Sequence, residues 1–399
     1  MMDQIADILK YYAKPCSLPY YYFIRQHLND PALEINPYHE GDKIIDLNYV
    51  FGEHLTFGTK YNLPQIQMSL SKRQQISDLL STFHNEIADQ VKNGHVNHIQ
   101  EVCCGKANLG LTLAQYYQLR FTGYDINPSL ILELNKRLKK LEPYILDTSC
   151  GIVRDILKER FPCSSTTLTV ALHACGALTD NIIKNFVQIN QGSVKSKING
   201  FLLIVPCCYD RFRDIEPFTF LSQYYQEINL DVNTELLHNL TTQIKGDEQR
   251  YKKISDWIAE KRLLKITLNL ILHQKQWRHP LFDDYTHGKY ISIPDSLFNI
   301  RKSDTSLERL RNLIVKQLEL CSETELDLAA LEEYISVATL IKEKIVKVEQ
   351  RLLPFKRLIE LLIIDDRARY LQENGFQTIV RQFTDPQTTP RNIAIFASA

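Results

Sequence analysis

Residues 101–110 read EVCCGKANLG. The apolar-leaning HIQEVC (98–103) runs into this stretch and the helix-like LGLTLAQYY (109–117) leaves it, so it is a strand-to-helix turn. Two familiar phosphate-binding turns do not fit. A dinucleotide loop needs G-x-G-x-x-G and a P-loop needs G-x-x-x-x-G-K-[ST]. Gly105 and Gly110 have the outer P-loop spacing, but Leu111 stands where the lysine must be. What remains is an acid at the strand end (Glu101), a single glycine at the tight turn (Gly105), and the small residues Cys103 and Ala107 on either side. Gly105 is expected where a Cβ would clash. The helix starting near Asn108 points free N–H groups at an anionic ligand group.

Outward from this loop the chain alternates strand and helix. RFTGYDI (120–126) predicts a second strand, and LILELNKRLKKL an amphipathic helix. DTSCGIVRDI contains a third strand, TLTVALHACG (167–176) is a fourth, and GFLLIVPCC (200–208) a fifth, with TDNIIKNFVQI a helix between the last two. Such alternation implies βαβ units and a parallel sheet, and near-continuous apolar strands suit a sheet covered on both faces. Before the sheet, Ser71-Lys72-Arg73-Gln74 fits a capping box that opens a helix to about Val91. After it, RLIELLIIDDRARYLQENG is a helix closed by Gly375, and FQTIVRQF and NIAIFASA end the sequence as an antiparallel pair. The expected organisation is therefore four segments: a helical and loop segment (1–70), the first part of an α/β core (71–210), a mostly helical insertion or cap (211–350), and a last helix and strand pair completing the core (351–399).

Composition narrows the class. The 399 residues are 44% hydrophobic with 47 basic and 47 acidic side chains, an ordinary globular balance without a dominant nucleic-acid field. The N-terminal MMDQIADILKYYAKPC has no basic start followed by an apolar run, and no apolar stretch approaches the ~20 residues that span a bilayer. The expectation is a soluble, cytoplasmic protein with no membrane contact. Nine cysteines show no disulfide framework, and five of them fall in three short motifs: Cys103–Cys104, Cys175 and Cys207–Cys208.

Further residues mark a ligand site. Asp125 closes the second strand, where an acid accepts the ribose hydroxyls of an adenosyl group; a turn-capping role is the alternative. Asp155, in IVRDI, ends the third strand and either accepts an adenine amino group or caps a helix. The fourth strand ends in His173-Ala-Cys175-Gly176 and the fifth in Pro206-Cys207-Cys208-Tyr209, and ligands of a doubly wound sheet bind at those carboxyl ends.

The loop E-x-C-C-G-K, followed by ALHACGALTD and VPCCY, resembles one family of S-adenosylmethionine-dependent class I methyltransferases. That family includes the methyltransferase domain of the glutathione S-transferase C-terminal-domain-containing protein. More distantly, the pattern is similar to the tRNA acceptor-stem 2′-O-methyltransferases. The likeness spans about residues 65–210, and the closing DRARYLQENGF…PRN is also similar. The N-terminal Cys/His zinc modules of those tRNA enzymes have no counterpart, Cys16 standing alone. The resemblance implies a Rossmann-like class I methyltransferase sheet with S-adenosylmethionine as cofactor. It further implies that Glu101, Cys103, Gly105, Ala107, Asp125 and Asp155 line the cofactor, with His173, Cys207, Cys208 and Tyr209 expected where the methyl group is transferred.

Four roles fit the convergent cysteines: filling tight space beside the cofactor, ligating a metal, attacking a pyrimidine as thiolate, or binding the acceptor with His173 or Tyr209. No metal is assigned, because the Cys-Cys pairs lack the usual two-residue ligand spacing. His173 is the general-base candidate. RNA is the favoured acceptor, ahead of protein and small molecules. The basic segments near 249–279, with Trp257 and Trp277, and 341–358 suit phosphates and bases; solvated faces of amphipathic helices are the alternative. An inactive methyltransferase fold acting as a binding module and an NAD-type oxidoreductase are the competing functions.

Overall fold

A computed structural model of the chain describes residues 63–64, 66–141, 149–162, 164, 166–191, 200–209, 218–228, 232, 237, 267, 328–385, 388–389 and 391–398. The chain divides into two compact units, Met1–Leu9 with Lys43–Lys245 and Lys356–Ala399, and Lys10–Asp42 with Gly246–Phe355. The basic segment 249–279 lies outside the described residues apart from Thr267, as do the side chains of 341–358.

Among the described residues the first unit contains α1 (Leu70–Lys92), β1 (His98–Val102), α2 (Asn108–Tyr117), β2 (Arg120–Asp125), α3 (Pro128–Leu141), β3 (Cys150–Val153), β4 (Thr167–Cys175), α4 (Ala177–Gln191), β5 (Phe201–Cys207) and the short α5 (Gln223–Ile228). They are followed by α6 (Leu328–Glu373, in this unit from residue 356), β6 (Gln377–Gln382) and β7 (Ile393–Ser398). The seven strands form one sheet in the order β3-β2-β1-β4-β5-β7-β6. β1 to β5 pair in parallel; β7 runs antiparallel between β5 and β6. This mixed α/β sheet with a terminal antiparallel pair is the Rossmann-like class I methyltransferase architecture. Strand order reverses between β1 and β4, which opens a crevice at their carboxyl ends.

The sheet is buried on both faces because its strands alternate two apolar sets. Ile99, Phe121, Leu168, Val170, Leu203 and Phe396 pack with α1 to α3. Val102, Tyr124, Ala171, Ile204 and Ile395 pack against α4 and the end of α6 on the other face. Two local details differ from the sequence expectation. Helix α1 is capped by Ser69, whose side chain accepts the Lys72 N–H, so the expected Ser71 box is displaced by one half-turn and Ser71 lies within the helix. The third strand ends at Val153, two residues before Asp155. The close of α6 is as expected: Gly375 takes φ +89°, and the Phe376 N–H reaches the Leu371 carbonyl.

Candidate active site

The loop after β1 carries left-handed backbone at three alternate positions, Cys103 (φ 55°), Gly105 (φ 52°) and Ala107 (φ 53°). Left-handed backbone costs an L-residue roughly 1–2 kcal/mol, and non-glycine strain of this kind concentrates at ligand sites. A Cβ on Gly105 would meet nothing within 4 Å. The expected clash is absent; the positive φ alone calls for glycine, and the space beside it is open.

Two carboxylates hold the loop. Glu101 is buried, and its Oε2 accepts the Gly110 N–H at 2.9 Å. It thus anchors the first turn of α2 from within. Burial pushes its pKa up to about 8, against the opposing pull of that hydrogen bond and of the nearby Lys72 and Arg137 charges. Gly110 is a residue that its loop spacing did not flag as functional: a Cβ there would come within 2.3 Å of the Phe121 ring and 2.9 Å of Glu101 Oε2. Asp125 Oδ2 accepts the Gly105 N–H at 2.8 Å, and Oδ1 accepts the Asn127 N–H at 2.9 Å. The strand-end acid therefore ties the turn to β2. Beside Asp125, Ile126 is 62% exposed, and Val153, the register partner of Asp125, is 50% exposed. These apolar side chains at a polar strand edge went unread in the sequence. Asp155 opens a turn in which its Oδ1 accepts the Leu157 N–H, and its charge helps raise Cys103. Burial is the main cause holding Cys103 as a thiol, with its pKa at about 12.

The β4–β5 edge is built differently. The pairing of these strands shifts between Leu172 and Ala174, so His173 sits in a bulge with φ 66°. Its Nε2 lies 3.2 Å from Gln75 Oε1, which also accepts from Lys72 Nζ at 3.1 Å. The Gln75 amide nitrogen is 3.5 Å from the Thr388 carbonyl, an arrangement that turns the amide oxygen toward His173 and places the ring proton on Nε2. Burial, then the Lys72 charge, pushes the His173 pKa down to about 4. The ring is neutral at pH 7, and a base that weak gains little by taking a proton there. Lys72 and Gln75 come from α1, far away in sequence, and the capping-box reading of 71–74 gave neither of them a role at the site.

Cys175 and Cys207 are register partners on adjacent strands, with Sγ atoms 3.4 Å apart. Hydrogen bonds with Cys175 and Cys208, together with burial, push the Cys207 thiol far up. The direction favours the thiol over the thiolate at Cys207. Tyr209 departs from its expected place. Its side chain is 2% exposed, the Arg391 guanidinium lies 4.9 Å from the ring centroid, and its hydroxyl has no hydrogen-bond partner among the described residues. It packs beneath the edge and presents no face to an acceptor.

A buried polar network supports this corner. Arg367, fully buried in α6, binds Asp180 at the start of α4 through two bonds of 2.9 and 2.8 Å, and Asp366 at 2.6 Å. Asp366 also accepts the Leu221 and Ser222 N–H groups. Arg391 pairs with Glu360 at 3.2 Å. The ALTD and DDR stretches of the sequence thus meet through Asp180 and Arg367.

The region that carries both corners matches a methyltransferase domain. The sequence model of a family described as "Methyltransferase domain" matches residues 71–214. No curated protein sequence matches the chain. Solved structures with similar parts include the PH0226 protein from Pyrococcus horikoshii OT3, at 15% identity over 34% of this chain and 59% of that one, with a TM-score of 0.26. An S-adenosylmethionine-dependent methyltransferase from Clostridium acetobutylicum ATCC 824 has 16% identity over 35% and 55%, TM-score 0.25. The geranyl diphosphate C-methyltransferase from Streptomyces coelicolor A3(2) has 13% identity over 53% and 78%, TM-score 0.25. The chain spans about half the length of the first two structures. Likeness at these scores bears no weight for the activity.

Proposed function

We propose that this chain is an S-adenosylmethionine-dependent methyltransferase. The observation that carries the reading is the loop of alternate left-handed residues at 103, 105 and 107, tied by the Gly105 N–H to Asp125 at the switch point of the sheet. The match of residues 71–214 to a methyltransferase domain supports it. The residues fit the cofactor's parts. Open space at Gly105 and the N-terminal amides of α2 suit the methionyl carboxylate. Each Asp125 oxygen spends one lone pair on a backbone N–H and keeps another for a ribose hydroxyl. Ile126 and Val153 offer apolar surface to a flat heterocycle, with Asp155 beyond them as an acceptor for the adenine amino group. Bound there, the cofactor supplies an electrophilic methyl group. His173, with Nε2 committed to Gln75, turns Nδ1 to an acceptor as a hydrogen-bond acceptor that orients it.

The acceptor we propose is RNA, on the sequence of the basic segments 249–279 and 341–358 alone. Calorimetric titration with S-adenosylmethionine, S-adenosylhomocysteine and NAD tests the cofactor. The expected result is saturable binding of the first two and none of NAD, with binding lost in Asp125→Ala. Failure of both sulfonium and thioether ligands to bind folded protein sinks the reading. Binding without transfer of a radiolabelled methyl group to RNA, protein or small-molecule pools favours the inactive binding module.

A further inference from the structure

The thiols of Cys175, Cys207 and Cys208 converge at the carboxyl edge of β4 and β5, with all three Sγ atoms within 4.8 Å of one another. We propose that they form a metal site for a thiophilic d10 cation such as zinc, with three thiolate ligands and an open fourth position.

Four observations support it. The first is distance. Thiolates on a tetrahedral zinc at 2.3 Å stand about 3.8 Å apart, within the span of this cluster, whose shortest separation is 3.4 Å. Small side-chain rotations close the rest. The second is direction. Successive strand side chains point to opposite faces, so adjacent Cys207 and Cys208 would ordinarily diverge. Cys208 instead takes φ 49°, the left-handed backbone that costs a cysteine energy, and its Sγ returns to the cluster. The third ligand comes from the neighbouring strand at the register position of Cys207. The two-residue spacing of ordinary zinc motifs is therefore unnecessary: a β-sheet pairing replaces it.

The third observation is charge. Three thiolates and a divalent cation carry a net charge of −1. The Lys72 and Arg391 charges both act on Cys207 and offset it. The fourth is access. Cys207 is buried while Cys175 and Cys208 are half-buried, so the cluster is held from behind and reachable from the edge. The Cys103 side chain of the β1 loop feels the charge of Cys175, so the cluster lies near the β1 loop. On binding, each Cys S–H loses its proton to solvent and its sulfur lone pair forms the metal bond; no electron transfer is involved. A three-ligand site with an open position is the pattern of a metal that binds water or a substrate heteroatom. The inference does not depend on methyl transfer, since its readout is metal binding.

The test is titration of the reduced, metal-stripped full chain with cobalt(II), followed by displacement with zinc. One equivalent of cobalt giving intense thiolate-to-metal charge-transfer absorption, bleached by zinc, is the expected result. The absorption should fall by about a third in Cys175→Ser and in Cys208→Ser, as one of three thiolates is removed, and stay unchanged in Cys150→Ser on β3. Circular dichroism checks that each variant is folded. Folded wild-type protein without charge-transfer bands overturns the proposal whatever the variants do. Bands of undiminished intensity in both Cys175→Ser and Cys208→Ser overturn it as well.

Discussion

The β1–β2 corner and the β4–β5 corner of the sheet end on the same edge, and both carry cysteines in left-handed backbone, yet they are held in opposite ways. At the first, carboxylates grip backbone: Glu101 takes the Gly110 N–H and Asp125 takes the Gly105 N–H. Space is left open beside the turn. At the second, side chains grip one another: thiol on thiol, His173 on Gln75, Arg367 on two aspartates. A corner held through its backbone leaves its concave side to a ligand. A corner held through its side chains fixes where its donor atoms stand. The edge thus joins a pocket to a rigid cluster of donors.

Three substitutions probe that contrast. Arg367→Met attacks the side-chain corner at its base, leaving Asp180 and Asp366 buried without their cation. The expected loss is about 3–5 kcal/mol of unfolding free energy by urea denaturation; a loss near zero would show that the clamp does not support the corner. Gly110→Ala attacks the backbone corner. Its Cβ would press on Phe121 and on Glu101, so a loss of about 1–3 kcal/mol is expected, together with weaker S-adenosylmethionine binding because α2 must shift.

Glu101→Gln should lose least. The amide keeps an oxygen for the Gly110 N–H and cannot ionise. Wild-type Glu101 titrates near 8 when folded and near 4.5 when free, so the folded state holds the extra proton between those values. Its contribution to stability is complete below pH 4.5 and is lost as pH rises through 8. Thermal unfolding across pH 5–8 should therefore show the variant gaining on the wild type as pH rises. A parallel pair of curves would mean that Glu101 is ionised throughout, with Lys72 as its working partner.

Much of the fold was legible because strand and helix periods were undisturbed where burial is complete. TLTVAL and FLLIV could only be covered strands, and NIAIFAS alternates two apolar sets as β7 does in the sheet. The loop was legible at Glu101, Gly105 and Asp125, since an acid, a glycine and a strand-end acid have few ways to be arranged. Lys72 and Gln75 were not, because nothing local in SKRQQ distinguishes a solvated helical face from one that meets His173. Tyr209 was misplaced for a related reason. A residue following a strand end reads as surface, and the Arg391 side chain that lies over its ring comes from nearly two hundred positions later.

The sequence alone determined the alternation of the first five strands with helices, the terminal strand pair and the loop after β1, since these follow from periodicity and from backbone-permissive residues acting over a few positions. Only the tertiary structure decided what the cysteines and charges do. It shifted the β4–β5 pairing at His173, brought Cys175 alongside Cys207, turned Cys208 back beside them, and chose Gln75 and Arg367 as partners. Side-chain reach is a few ångströms, so which donors meet depends on strand register and helix packing, and those are settled by contacts between residues far apart in the chain.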